Sequence, residues 1–182
     1  MMKLRSLAAA MLLAAAAVPL RAQANDDLAS KIVNDPGNPQ VNGAKASLRD
    51  DAKVQGGKAL RIQVPKKGAN PWDSTAESTL TKPVKAGDKL ELIFWARLEK
   101  GDGGATSSSL AFAGIQVNAA PYTSVVQQQP VEVGPEWKMV EIKGKADRNY
   151  PAGGLKVSIH LANAKQTIDL GPIVVLDLGP GA

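Results

Sequence analysis

Cysteine is absent from this 182-residue chain, histidine occurs once, and aromatic residues make up only 4% of it. Without cysteine there is no disulfide staple and no thiol to carry a lipid. With one histidine as well, the usual zinc ligand sets cannot be assembled. No Gly-x-Ser-x-Gly elbow and no phosphate-cradling glycine loop is present, and Gly101-Asp-Gly-Gly104 reads as a flexible turn. Acidic residues are present, but none can be paired from sequence as a general acid and base. Also missing is any apolar run long enough for a comfortable membrane span.

The longest apolar stretch, Leu7 to Leu20, follows the basic residues Lys3 and Arg5 and precedes Ala22-Gln-Ala24. This is the pattern of a secretory signal, so the mature chain is expected to begin at Asn25 and to act outside the cytoplasm, secreted or in the periplasm. Cleavage there would remove three of the 22 basic residues and none of the 17 acidic ones, lowering the net charge from +5 to +2. The remaining Lys and Arg are scattered and mostly close to an acid, which argues against a nucleic-acid partner. What is left is enough for one domain with its own core, expected to be a monomer and not bound to a membrane.

From Ala46 onward, short alternating runs are separated by turn residues, and no helical periodicity of useful length occurs. Residues 25–45 are read as an N-terminal arm or short first strand, and 46–182 as one all-β unit. Strands are predicted at Ala46–Val54, Ala59–Val64, Ala76–Leu80, Asp88–Leu98, Ser109–Asn118, Val125–Val133, Trp137–Lys145, Leu155–Ala162 and, with a break, Thr167–Leu178. Eight or nine strands in one domain point to a two-sheet jelly-roll sandwich. In Asp88–Leu98, residues Leu90, Leu92, Phe94, Ala96 and Leu98 take one parity and Glu91, Ile93, Trp95 and Arg97 the other. The first set is core, and the second offers a ring for stacking with charges beside it. In Leu110–Val117 the apolar parity slips, and a bulge near Ala113-Gly114 would return Leu110, Phe112, Ile115 and Val117 to the core and leave Gln116 outward.

Among residues able to meet a ligand, Trp72 lies in the loop Ala69-Asn-Pro-Trp-Asp73, either capping the sandwich or presented beside Asp73. Tyr122 follows Pro121 in a loop and could donate to a ligand. His160 shares the outward parity of Ser158 in Leu155–Leu161, on a strand expected in the same sheet as Trp95 and Arg97. Trp137 opens a strand after a turn, where a tryptophan usually anchors the turn to the core.

Gly57-Lys-Ala-Leu-Arg-Ile-Gln-Val64, Asn70-Pro-Trp-Asp73, Val84 to Arg97, Glu136-Trp-Lys138, Val157-Ser-Ile-His-Leu161 and Gln166-Thr-Ile-Asp-Leu-Gly171, in that order, resemble the carbohydrate-binding modules of families four and nine. The resemblance covers about residues 45 to 178. It implies a galactose-binding-like jelly roll that binds β-glycans without catalysis, and it places the contacts on Trp72, Asp73, Trp95, Arg97, Gln116, Tyr122 and His160. Such modules often hold a structural calcium through an acid in the last strand, where Gly171-Pro-Ile173 stands here. No cofactor is therefore expected, with structural calcium as the alternative. Two other functions stay open. One is a small polysaccharide lyase in which His160 or Tyr122 takes a proton and Arg97 neutralises a uronate, although Ser158 replaces the amide of the Gln-x-His pair that such enzymes carry. The other is a structural or adhesion protein of the cell envelope.

Overall fold

The computed structural model describes residues 27–128 and 130–180, with the backbone alone at Gln128. The expected signal and its expected cleavage site at Ala22-Gln-Ala24 lie outside them. The chain divides into two units, Met1–Ser30 and Lys31–Ala182. Of the first, residues 27–30 are described, as one helical turn.

The second unit is an antiparallel β-sandwich. Its strands are β1 (Gln40–Asn42), β2 (Lys45–Asp50), β3 (Lys58–Val64), β4 (Thr75–Thr79), β5 (Asp88–Lys100), β6 (Ser108–Leu110), β7 (Phe112–Val117), β8 (Ser124–Gln128), β9 (Val131–Val133), β10 (Lys138–Lys145), β11 (Leu155–His160) and β12 (Gln166–Pro180). One five-stranded sheet runs β10-β5-β12-β3-β2, here sheet I. The other runs β1-β4-β11-β7-β8, here sheet II, and β6 pairs with β9 separately.

Alternation decides which residues are buried. Leu90, Leu92, Phe94, Ala96 and Leu98 of β5 point into the core, as do Ile173 and Val175 of β12; from sheet II they meet Ala76, Ala113, Ile115, Val157 and Ile159. Removing such side chains from water is the main force holding the sheets face to face. Residues 31–45 are ordered against both sheets. The buried Asn34 donates from Nδ2 to Ser78 Oγ in β4 (2.9 Å) and to the Ile173 carbonyl in β12 (2.8 Å), while its Oδ1 accepts from the Val175 N–H (2.8 Å). One side chain thus ties both sheets and satisfies polar groups that would be costly to bury alone.

Three details differ from the sequence reading. The predicted strand Val125–Val133 divides into β8 and β9, which pair with different neighbours. The discontinuity in Leu110–Val117 falls at Ala111, between β6 and β7, and not at Ala113-Gly114. Strand β7 then pairs with β11 without a slip, so Phe112, Gly114 and Gln116 share the outer face of sheet II with His160, Ser158 and Lys156. Leu110 reaches the core through β6, whereas Phe112, though buried, lies outside the inter-sheet core.

Candidate functional site

The outer face of sheet II carries a grid of side chains set by strand register. One row crosses Asn42, Thr75, His160 and Phe112; the next crosses Glu77, Ser158 and Gly114; a third crosses Thr79, Lys156 and Gln116. On β11 and β7 the outer rows carry His160, Phe112, Lys156 and Gln116 while the middle one carries Ser158 and Gly114, so the floor dips at those two residues. A groove of about 540 Å³ lies over this dip, with Trp72 and Tyr122 among its lining residues. Gly114 serves packing here as well as space, since a Cβ on it would lie 2.3 Å from the Val126 carbonyl oxygen of β8.

Trp72 is delivered by the 3-10 turn Pro71–Asp73, which is fixed at both ends. The Asn70 N–H donates to Asp73 Oδ2 (3.0 Å), and the N–H groups of Leu161 and Ala162, just past β11, donate to the carbonyls of Ser74 (2.8 Å) and Pro71 (3.0 Å). The neighbouring backbone approaches so closely at Gly43 (φ +69°) that a Cβ there would fall 1.8 Å from the Asp73 carbonyl oxygen. The tryptophan ring remains 57% exposed and stands edge-on to His160, with centroids 6.0 Å apart at 64°. His160 in turn lies over Phe112, centroids 4.7 Å apart at 31°. Burial holds the His160 pKa below the ordinary histidine value; Glu77 opposes this shift and Lys156 adds to it.

At the other end, Tyr122 is in a left-handed conformation (φ 56°), uncommon for a residue with a side chain, and its N–H donates to the Ala119 carbonyl (2.8 Å). Its ring is 51% exposed and lies 5.0 Å from Lys156 Nζ, which is paired with Glu77 at 2.9 Å. His160 and Lys156 are four residues apart on β11, so the two ring-bearing ends are separated by about 13 Å along the strand. Between them Ser158 is fully buried, and its Oγ has no hydrogen-bond partner.

Trp72, Gln116, Tyr122 and His160 thus meet in one groove, and Gln116 faces outward as the sequence suggested. Asp73 does not line it. Its carboxylate closes the cap on Asn70, and the Asn70 N–H is the main reason that its pKa lies below the usual carboxylate value. Trp95 and Arg97 are on sheet I, so the expectation that His160 shares their sheet fails: β5 and β11 belong to opposite layers. Sequence parity put Ser158 and Lys156 outward with His160 but did not single them out as groove residues, and it sent Phe112 to the core; the pairing of β7 with β11 brings the three together.

On sheet I, Arg97 is consumed by ion pairing. Asp169, with no exposed surface, accepts from Arg61 Nε (2.8 Å) and Nη2 (3.0 Å) and from Arg97 Nε (3.0 Å) and Nη2 (2.8 Å). Burial pushes the Asp169 carboxyl up, but these two guanidinium groups outweigh it and hold its pKa below the usual value. Arg97 also meets Asp51 (3.3 Å) and Glu99 (3.2 Å) and lies over the Trp137 ring at 5.1 Å. Trp137 is half-buried on this outer face under Arg97 and is not part of the inter-sheet core that it was expected to anchor. The arginine that a lyase would need beside His160 or Tyr122 is therefore across the sandwich. Among the described residues no three His, Cys, Asp or Glu side chains are grouped to hold a metal ion, and no helix is long and apolar enough to cross a membrane.

No family model matches the chain, and no curated protein does. Solved structures do. A family 4 carbohydrate-binding module superposes with a TM-score of 0.58 at 17% identity, over 84% of this chain and 98% of that one. The N-terminal cellulose-binding domain of Cellulomonas fimi β-1,4-glucanase C gives 0.55 at 17% identity, over 77% and 88%. The family 22 xylan-binding domain of Paenibacillus barcinonensis Xyn10C gives 0.56 at 15% identity, over 79% and 86%. The fold is therefore the jelly-roll sandwich of carbohydrate-binding modules.

Proposed function

We propose that this protein binds a carbohydrate chain in the groove on sheet II and performs no chemistry on it. The observation that carries this reading is the placing of two half-exposed aromatic residues, Trp72 and Tyr122, at opposite ends of one groove whose floor is lowered between them at Ser158 and Gly114. Aromatic rings left in water attract the apolar C–H faces of a pyranose, and the lowered floor between them leaves room for the sugar ring. Gln116 and His160 add groups that read hydroxyls from the sides. The likeness of the fold to cellulose- and xylan-binding domains supports a β-glycan as the ligand.

The groove has one paired charge, Lys156 with Glu77, and no free carboxylate set against His160 as an acid–base partner. The reading therefore needs no cofactor and assigns no bond-breaking step. With the signal-like start of the chain, it describes a secreted or periplasmic binding protein acting as a monomer. Affinity should be modest, on the order of micromolar to millimolar, since sugars leave good hydrogen bonds with water. Affinity electrophoresis of the full chain through xylan, mixed-linkage glucan and hydroxyethyl cellulose tests it, together with an assay for new reducing ends and unsaturated products. Retardation by one or more of these polymers without products is the expected result. No retardation, or products lost on His160→Ala, would sink the reading.

A further inference from the structure

A second groove, of about 780 Å³, lies apart from the aromatic one. It lies at the end of sheet I, where β2, β3, β12 and the last residue of β5 meet the Gly101–Gly104 turn. Strand register puts Lys45 opposite Gln63, Gln63 opposite Thr167 and Thr167 opposite Lys100. Gln63 alternates with the buried Ile62 and Val64 and so faces outward with Lys45 and Thr167, while a register shift between Thr167 and Ile168 sets Lys100, of the same parity as the buried Leu98, opposite Thr167, where it is exposed. Three strand spacings separate the two lysines, about 14 Å. Lys165, in the turn before β12, brings a third exposed ammonium group to the same groove, and among the described residues Asp102 is the only carboxylate lining it.

The adjoining row shows how this face treats cations elsewhere. There Arg49, Arg61 and Arg97 are matched by Asp51, Asp169 and Glu99 in one closed set of ion pairs. Among the described residues Lys45, Lys100 and Lys165 have no such partner. Three unpaired cations converging on an open groove concentrate positive potential there. The length of the row suits a chain, and the amide of Gln63 and hydroxyl of Thr167 between the lysines suit a ligand with hydroxyls between its charges. Among the described residues no aromatic ring lines the groove, so they provide nothing for stacking a nucleic-acid base.

We infer that Lys45, Lys100 and Lys165 form a second binding site, separate from the aromatic groove, that takes a carboxylate-bearing polysaccharide. The choice of a sugar polymer rests on the carbohydrate reading above, but the site and its charge do not. The ammonium groups meet the ring carboxylates while Gln63 and Thr167 meet the hydroxyls. Because these are exposed charges, binding weakens as salt rises.

The test is isothermal titration of the full chain with polygalacturonate at low salt, beside neutral xylan and mixed-linkage glucan. Lys45→Gln/Lys100→Gln/Lys165→Gln should weaken polygalacturonate binding about tenfold or more, the scale for losing several exposed charge contacts, and leave neutral-glycan affinity unchanged. The corresponding triple Arg variant, which keeps the charge, should retain it. Trp72→Ala should show the reverse selectivity. Polygalacturonate binding that survives the Gln variant, is lost in the Arg variant, is lost in Trp72→Ala, or is absent from the start overturns the inference, as does stronger binding of a single-stranded oligonucleotide at the same salt. Failure on neutral glycans with success on polygalacturonate would instead overturn the aromatic-groove reading alone.

Discussion

Replacing Trp72 with alanine separates binding from stability most cleanly. Trp72 is already 57% exposed, and its ring meets His160 edge-on. A tryptophan carries roughly 150–250 Å² of surface, and a pyranose laid on one free face would cover about 60–100 Å² of it. At about 25 cal/mol per Å² that contact contributes about 1.5–2.5 kcal/mol, or about ten- to seventyfold in Kd. The stability cost should stay below about 1 kcal/mol, as for most exposed substitutions. Trp95→Ala is the matched control: that ring is half-buried on sheet I above Gly171, so its loss should lower the melting temperature and leave glycan Kd unchanged. Titration calorimetry on a retained neutral glycan, with thermal melts of both variants, gives the two quantities. Unaltered affinity in Trp72→Ala, or an equal loss in Trp95→Ala, would refute the assignment of the groove to sheet II.

Ser158→Ala should leave stability unchanged or slightly raised, because it removes a buried hydroxyl with no partner, and should leave glycan Kd unaltered, because that hydroxyl has no surface for a ligand to touch; a stability loss above about 1 kcal/mol would show that the hydroxyl does have a partner. Asp169→Asn should cost about 3–5 kcal/mol in chemical denaturation, since it strands the Arg61 and Arg97 guanidinium groups without their buried counter-charge, and a loss under about 1 kcal/mol would show that Asp51 and Glu99 suffice. His160 has a lowered pKa from burial, so the unfolded chain takes up its proton first as pH falls below about 6.5. Its contribution to stability is thus complete above that pH and declines toward the folded-state value. The denaturant midpoint should drop between pH 7 and pH 5, and the His160→Gln variant should show a smaller drop; identical profiles would contradict this.

The alternation of β5 and β11 was legible from sequence, because side-chain parity along a strand is a local consequence of backbone geometry. It correctly sent Leu92, Phe94 and Ala96 inward and Trp95, Arg97 and His160 outward. The turn chemistry around Gly101–Gly104 and the position of Gln116 were legible for the same reason. Sheet membership was not, since it depends on hydrogen bonds between segments far apart in the chain. The order β10-β5-β12-β3-β2 set Trp95 and Arg97 on one outer face, and β1-β4-β11-β7-β8 set Trp72, Gln116, Tyr122 and His160 on the other. Nor does parity say what an outward charge will meet. Arg97 looked available from its own strand, but Asp169 and Asp51 arrive from other segments and neutralise it. Phe112 shows the same limit, because an aromatic residue beside an interruption between two strands reads as core until its partner across the ladder is known to be His160. The sequence by itself determined an all-β sandwich and which side chains of each strand point outward. The tertiary structure decided which outward side chains share a surface, because that requires pairing energies summed over strands that no local pattern encodes.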